Sequence, residues 1–258
     1  MKLTDFVKLM ETIAPPELAL GFDNPGLLID PAEEEIAKVM LALDATPAVV
    51  REAAEWGAQL ILTHHPLFFS PVKHVLKRDP ETAAAWLMLK KGIGLYAAHT
   101  NLDAAEGGVN DALMAALGVT VTEKLGEEQL GRAGVLPETM PLAEFAKLCA
   151  EKLGTHPAYT GKGDTPVKKV ACVSGAGASE MELAVAAGAD AFVTGEIKHH
   201  ETLAADVLGM PVVVCGHYET ERVVLEPLKE RLERACHCNG NDVLYKVALQ
   251  DAGALTRI

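Results

Sequence analysis

Residues Leu62–Phe69 read LTHHPLFF, so two adjacent histidines follow directly on an apolar run. Imidazoles are the side chains that bind metals and move protons near neutral pH. Three other stretches carry the same chemistry: HTNLD at His99–Asp103, TGEIKHHE at Thr194–Glu201 and GHYETE at Gly216–Glu221. Imidazole with carboxylate suits zinc, iron, manganese, cobalt or nickel, and the absence of cysteine from the set disfavours a structural thiolate site. His217 and Glu221 lie four apart where a helix begins, a spacing that puts them on one face. From an extended backbone His64 and His65 do not both aim at one ion, but a turn at Pro66 lets them splay toward two. Five candidate ligands exceed what one open catalytic zinc takes. They suit two ions that share a carboxylate and a water, a common hydrolytic arrangement.

Each residue also has a plainer reading. His64 and His65 could be a polar strand end, Asp103 a helix cap, and Glu221 a first-turn acid favoured by the helix dipole. For His99 a structural role weighs equally with a catalytic one. His199 reads as solvent-facing, and His74, His156 and His237 as surface. Cys236-His237-Cys238 is either a metal tract or a chance cluster near a helix end. Gly175-Ala176-Gly177 is a weak phosphate-loop signal, since a strand-to-helix turn explains it equally and no Walker lysine follows.

The elements that must position these groups follow from the apolar pattern. Leu3, Phe6, Val7 and Met10 have helix spacing, with Thr4 as N-cap and Pro15-Pro16 as the stop. Lys38–Asp44 predicts a buried strand. Thr46 and Pro47 open a helix that Gly57 closes, and Gln59–Thr63 is the next strand. This β-α-β unit predicts parallel strands. A helix over Glu81–Lys90, a strand over Ile93–Ala98 and a short helix closed by Gly118 follow. In parallel α/β sheets the carboxyl ends of strands form the ligand crevice, so the four segments converge on one edge.

The plan recurs. A shift of 131 residues lays Val39-Met40-Leu41-Ala42 on Val170-Ala171-Cys172-Val173 and Thr63 on Thr194. A shift of 118 then lays His99 on His217 and Asp103 on Glu221, giving each half a His-x-x-x-acid after its strand. The predicted fold is α/β: two pseudo-equivalent α/β lobes with mostly parallel sheets and a metal site in the cleft between them. Residues 1–124 and 210–258 form the first lobe, carrying most metal ligands, and residues 125–209 form the second. The last strand, Asp242–Leu249, returns to the first lobe.

With 258 residues, 49% of them hydrophobic, the chain can bury a substantial core. A net charge of −13 argues against direct nucleic-acid binding. Five cysteines, an odd number and partly in apolar runs, fit a reducing cytoplasmic setting. The N-terminus lacks the pattern of a secretory signal, and no apolar stretch reaches the roughly 20 residues that span a bilayer.

LTHHPLFF, HTNLD, TGEIKHHE, GHYETE and the early GFDNPGLLID resemble the signature segments of the NGG-one-interacting-factor-three-like (NIF-three) family, often labelled GTP cyclohydrolase type 2-like. Phe22 stands where that family usually has tryptophan, and Pro25 replaces a common aliphatic. The resemblance implies two divalent metal ions held by His64, His65, Asp103, His217 and Glu221, with Asp103 bridging. It puts His99 and His200 near the site as acid/base or ligand-holding groups, with Glu196 able to orient a ligand or water. It also implies a homohexameric toroid.

The resulting reading is a metal-dependent hydrolase acting on a small molecule, with a nucleotide among the options, in which His99, His200 or Glu219 could move the proton. If the label holds, the substrate is GTP, attacked at C8 of the purine with loss of formate. Few cations lie near the motifs to hold a triphosphate: Lys73, Lys77, Arg78, Lys198 and Arg222. The alternative is a non-catalytic metal-binding, regulatory or scaffold protein. A transcription-associated factor that binds DNA directly is disfavoured by the charge.

Overall fold

Helix α1 (Leu3–Ile13) buries Phe6, Met10 and Ile13 on one face, as their three- and four-residue spacing demands. It starts two residues earlier than expected, with Lys2 at the cap in place of Thr4, which lies inside the first turn. In this computed structural model, which describes residues 1–238, 240, 242–251 and 253, the chain forms two units. One is Met1–Ala105 with Leu225–Ala252, and the other is built on Glu106–Val224.

In the first unit α1 is followed by β1 (Gly26–Ile29), β2 (Lys38–Ala42), α2 (Pro47–Trp56), β3 (Leu60–Thr63), α3 (Ala83–Lys91), β4 (Gly94–Ala97) and α4 (Thr100–Ala104). Helix α10 (Leu225–Cys238) and β11 (Leu244–Val247) complete it. The sheet order is β1-β4-β3-β2-β11. All neighbours are parallel except β1, which pairs antiparallel with β4. Every residue of β3 and β4 is buried, which is why these strands read as apolar runs rather than alternations. The β2–α2–β3 crossover is built as its residues suggest. Thr46 accepts the Val49 amide at 3.2 Å, Pro47 fills the first turn, and Gly57 ends the helix at φ 78°. Met40, Val49, Val50, Ile61, Met88 and Leu95 form the core beneath.

The second unit contains α5 (Val109–Ala116), β5 (Thr120–Leu125), β6 (Gly131–Pro141), α6 (Leu142–Leu153), β7 (Ala158–Tyr159) and β8 (Pro166–Cys172). It continues with α7 (Met181–Ala186), β9 (Ala191–Thr194), α8 (His199–Leu208), β10 (Val212–Val214) and α9 (His217–Glu221). Its sheet order is β5-β6-β8-β9-β10-β7. Only β8, β9 and β10 run parallel here, and the β5–β6, β6–β8 and β10–β7 pairs are antiparallel. The expectation of mostly parallel sheets therefore holds for the first unit and not for the second. The cause is a hairpin: β5 turns into β6 through residues 126–130, where Gly126 and Gln129 adopt positive φ, and so tight a connection forces antiparallel pairing.

The lobe boundaries also differ from the expected ones. Residues 106–124 and 210–224 belong with the second unit, because β5 pairs with β6 and β10 pairs with β9 and β7. The return of the last strand is as expected, with β11 pairing parallel to β2.

The internal duplication is visible in the pairing. Val39 faces Leu60 across β2–β3, and 131 residues on Val170 faces Ala191 across β8–β9. The series β1-β2-β3-β4 recurs as β7-β8-β9-β10, with sheet orders β1-β4-β3-β2 and β7-β10-β9-β8. At the last strand the register corrects the sequence alignment. Thr63 faces Ala97 while its counterpart Thr194 faces Val214, so the local offset is 117 and not 118. The Asp103 amide bonds His99 O, and the Thr220 amide bonds Gly216 O in the same place. The equivalent of His99 is thus Gly216 and that of Asp103 is Thr220. The two His-x-x-x-acid motifs are one residue out of step. Among the described residues no helix is long and apolar enough to cross a membrane.

Candidate metal centre

In the first unit three adjacent parallel strands deliver the chemistry from their carboxyl ends. Strand β2 leads to Asp44, β3 to His64 and His65, and β4 to His99 and Asp103. The Thr63 hydroxyl donates to His65 O at 2.8 Å and pins the turn at the strand end. One ring nitrogen from each of His64, His65 and His99 lies within 4.8 Å of the others. The ring centroids are 5.1, 5.1 and 5.7 Å apart.

Each imidazole has its Nδ1 committed. His64 Nδ1 is 2.9 Å from Ala98 O, His65 Nδ1 is 2.9 Å from Asp44 Oδ1, and His99 Nδ1 is 2.8 Å from Asp23 Oδ1. Carbonyls and ionised carboxylates only accept, so all three Nδ1 atoms carry a proton. Such outer hydrogen bonds are how proteins orient metal-binding imidazoles. His64 is buried, and its Nε2 stands 3.7 Å from Asp103 Oδ1. That is too long for a hydrogen bond and suits two atoms that each reach one cation at about 2.1 Å.

Asp23 ties the early loop to this centre. Its side chain is fully buried, and it accepts the Thr100 amide and hydroxyl as well as His99. Burial by itself would raise its pKa. The bonds from His99 and Thr100 outweigh that and hold the carboxyl well below the usual carboxylate range.

In the second unit His217 and Glu221 share one face of α9, with Nε2 of His217 3.1 Å from Glu221 Oε2. His217 Nδ1 lies 3.1 Å from Glu196 Oε1. Carboxylates therefore face both ring nitrogens, so the ring is either imidazolium or shares a cation with the buried Glu221. The loop after β8 closes beneath. Gly175 sits at φ +60°, and a Cβ there would collide with Glu221 Oε1 and come within 3.1 Å of His217 Nε2. Thr220 Oγ1 accepts the Gly175 amide at 3.1 Å and Asn110 Oδ1 accepts the Ser174 amide at 2.9 Å, fixing this close approach. Gly175 thus makes room for a carboxylate of the chain itself, while Gly177 packs closely on Val173.

His200 and His199 are exposed on the first turn of α8, and Glu219 is half-buried on α9. The Cys236-His237-Cys238 run is no metal tract. Cys236 is buried with its Sγ 2.9 Å from the Tyr245 hydroxyl, whereas His237 and Cys238 are exposed. His74, expected on the surface, is exposed and pairs with Asp79 at 2.7 Å. Asp44 and Gly175 were not foreseen as part of the site. The spacing of Asp44 after a strand was the only signal for it.

The donor set, imidazole nitrogens and carboxylates without thiolate, fits a divalent transition metal. The profile of the Duf34/NIF3 (NGG1p interacting factor 3) family matches residues 1–249. A GTP cyclohydrolase 1 type 2 homolog of Clostridium perfringens is 37% identical over 244 residues, covering 90% of this chain and 93% of that protein. One from Methanocaldococcus jannaschii is 32% identical over 238 residues, covering 90% and 95%. The crystal structure of a hypothetical protein from Staphylococcus aureus superposes with a TM-score of 0.94 at 28% identity, over 100% of this chain and 99% of that one.

Proposed function

We propose that this chain, which belongs to the Duf34/NIF3 (NGG1p interacting factor 3) family, is a hydrolase that works through two divalent metal ions. The observation that carries the reading is the three-histidine cluster with every Nδ1 committed to an acceptor, which leaves Nε2 of His64 and His65 as the nitrogens to offer a metal. Of this chain's residues, His64, His65, Asp103, His217 and Glu221 are those that would hold the ions, as the family resemblance implies. When bound, such a pair supplies a water of lowered pKa and a Lewis-acid contact to the substrate.

The chain's own residues do the rest. Asp44 and Asp23 fix the rings of His65 and His99, and Glu196 fixes that of His217. His99 is the favoured proton carrier, since its ring belongs to the cluster and Asp23 holds it by Nδ1. His200 and Glu219 are the further candidates for that role, and exposed His200 would need the substrate to come to it. The relatives' name makes GTP the first substrate to test, with hydrolytic opening of the purine imidazole ring. Phosphate esters and amides would use the same metals. The resemblance also supports a homohexameric ring, which light scattering on the purified protein tests.

Turnover of GTP and of a panel of phosphate esters by metal-loaded protein, with Asp103→Ala as control, tests the hydrolase reading. Product release above the variant's background supports it. Release no greater than that background puts a non-catalytic metal-binding or regulatory protein in its place.

A further inference from the structure

Beside His65 the first unit contains a cavity of about 720 Å³, a size suited to a nucleoside or similar small molecule. Most of its wall is the connection between β3 and α3, residues 64–82. This is far longer than the roughly 4–6 residues that usually join two elements. The equivalent connection in the second unit, between β9 and α8, covers only residues 195–198. The long connection is thus an addition to one half of a duplicated plan.

It is held in shape by specific bonds. Asn24 Nδ2 donates to Phe68 O at 2.7 Å, the Leu76 amide donates to Thr82 Oγ1 at 3.0 Å, and His74 pairs with Asp79 at 2.7 Å. Leu67 and Phe68 pack down on the core and make an apolar floor. Phe69 and Val72 line the same cavity and yet are 54% and 40% exposed. Large apolar side chains left open beside a polar centre mark a surface made to be covered. The Phe69 ring also stands 5.6 Å from that of His99, so the cavity wall reaches the proton carrier.

The charges decide the ligand. Asp44 is tied to His65 and Asp79 to His74. Lys73 and Glu81, both lining residues, offset each other. Lys77, which could have served a phosphate tail, lies over the Trp86 ring at 5.7 Å and does not line the cavity. A triphosphate would need several convergent cations here, and the wall offers one lysine.

We propose that this cavity binds a planar, uncharged ring of the substrate, the heterocycle of a nucleoside or the aryl group of an ester. The inference rests on the metal-hydrolase reading for its role in turnover, though not for binding itself. The ring lies against Phe68, Phe69 and Val72, and the bond to be cleaved falls on the His65 side.

The test is a backbone NMR titration of the metal-free full-length protein with guanosine, 4-nitrophenol and tripolyphosphate, each alone. The two ring compounds shift the signals of Phe69, Ser70, Val72 and Lys73, and tripolyphosphate leaves them in place. Val72→Asp weakens ring binding by at least about tenfold, Phe69→Ala weakens it too, and Asp103→Ala leaves it intact. Ring compounds that move none of these signals, or tripolyphosphate that alone moves them, overturn the proposal. Ring binding in a protein that turns nothing over discards the hydrolase and keeps the cavity. Turnover with a silent loop does the reverse.

Discussion

Asp23 Oδ1 lies 2.8 Å from Nδ1 of His99, although 76 residues separate the two in the chain. The carboxylate is fully buried and also takes both Thr100 donors, so it is ionised in the native state and locks the His99 tautomer. The early GFDN loop thereby becomes part of the centre without supplying a ligand.

This pair predicts a pH signature. A carboxyl whose folded pKa is depressed stabilises the native state above its unfolded value of about 3.9, and that stability is lost as pH falls through the folded pKa. Asp23→Asn is therefore less stable than wild type at pH 7, and the gap closes as pH drops below about 4. Urea unfolding of both proteins across pH 3–7 measures it. A gap that stays constant over that range is contrary to the assignment.

Asp44 holds His65 as Asp23 holds His99, but from a half-exposed position. Asp44→Ala frees the ring to rotate and to change tautomer. Metal affinity falls by about 10- to 100-fold while the fold is kept. Calorimetric titration with zinc or manganese shows whether it does.

Gly175→Ala is expected to be costly for two separate reasons. The residue occupies a left-handed conformation, and the added methyl meets the Glu221 carboxylate. Stability drops by more than about 1 kcal/mol, and metal binding weakens with it because Glu221 is displaced. A variant that melts and binds metal like wild type removes Gly175 from the site.

Arg132 is fully buried and makes a bidentate pair with Asp111 at 2.7 and 3.1 Å. Asp111→Ala removes the countercharge of that buried guanidinium and costs about 3–5 kcal/mol, read as a lower midpoint in urea.

Much of the first unit was legible because its central strands are buried on both faces and therefore appear as unbroken apolar runs ending in polar residues. Thr46, Pro47 and Gly57 mark their helix with local chemistry that needs no tertiary context. Strand β1 was missed because four residues in a glycine- and proline-flanked stretch acquire strand geometry only by pairing with β4. Strand β5 was missed because it is a sheet edge with all but Leu125 exposed, so no apolar periodicity betrays it. The candidate ligands stood out by type and by position at strand ends. Asp23 and Asp44 did not, because what gives them a role is a contact across the fold. The apparent match of His99-Asp103 with His217-Glu221 shows the opposite hazard: identical spacing, displaced by one residue in the pairing register.

The proposed function requires that imidazoles and carboxylates from separate segments hold a pair of cations. Elemental analysis of protein purified without chelator tests it most directly, with Asp103→Ala alongside. The expected result is about two equivalents of a transition metal per chain, and a clear loss in the variant. One equivalent or none in the wild type, or equal content in both proteins, contradicts it.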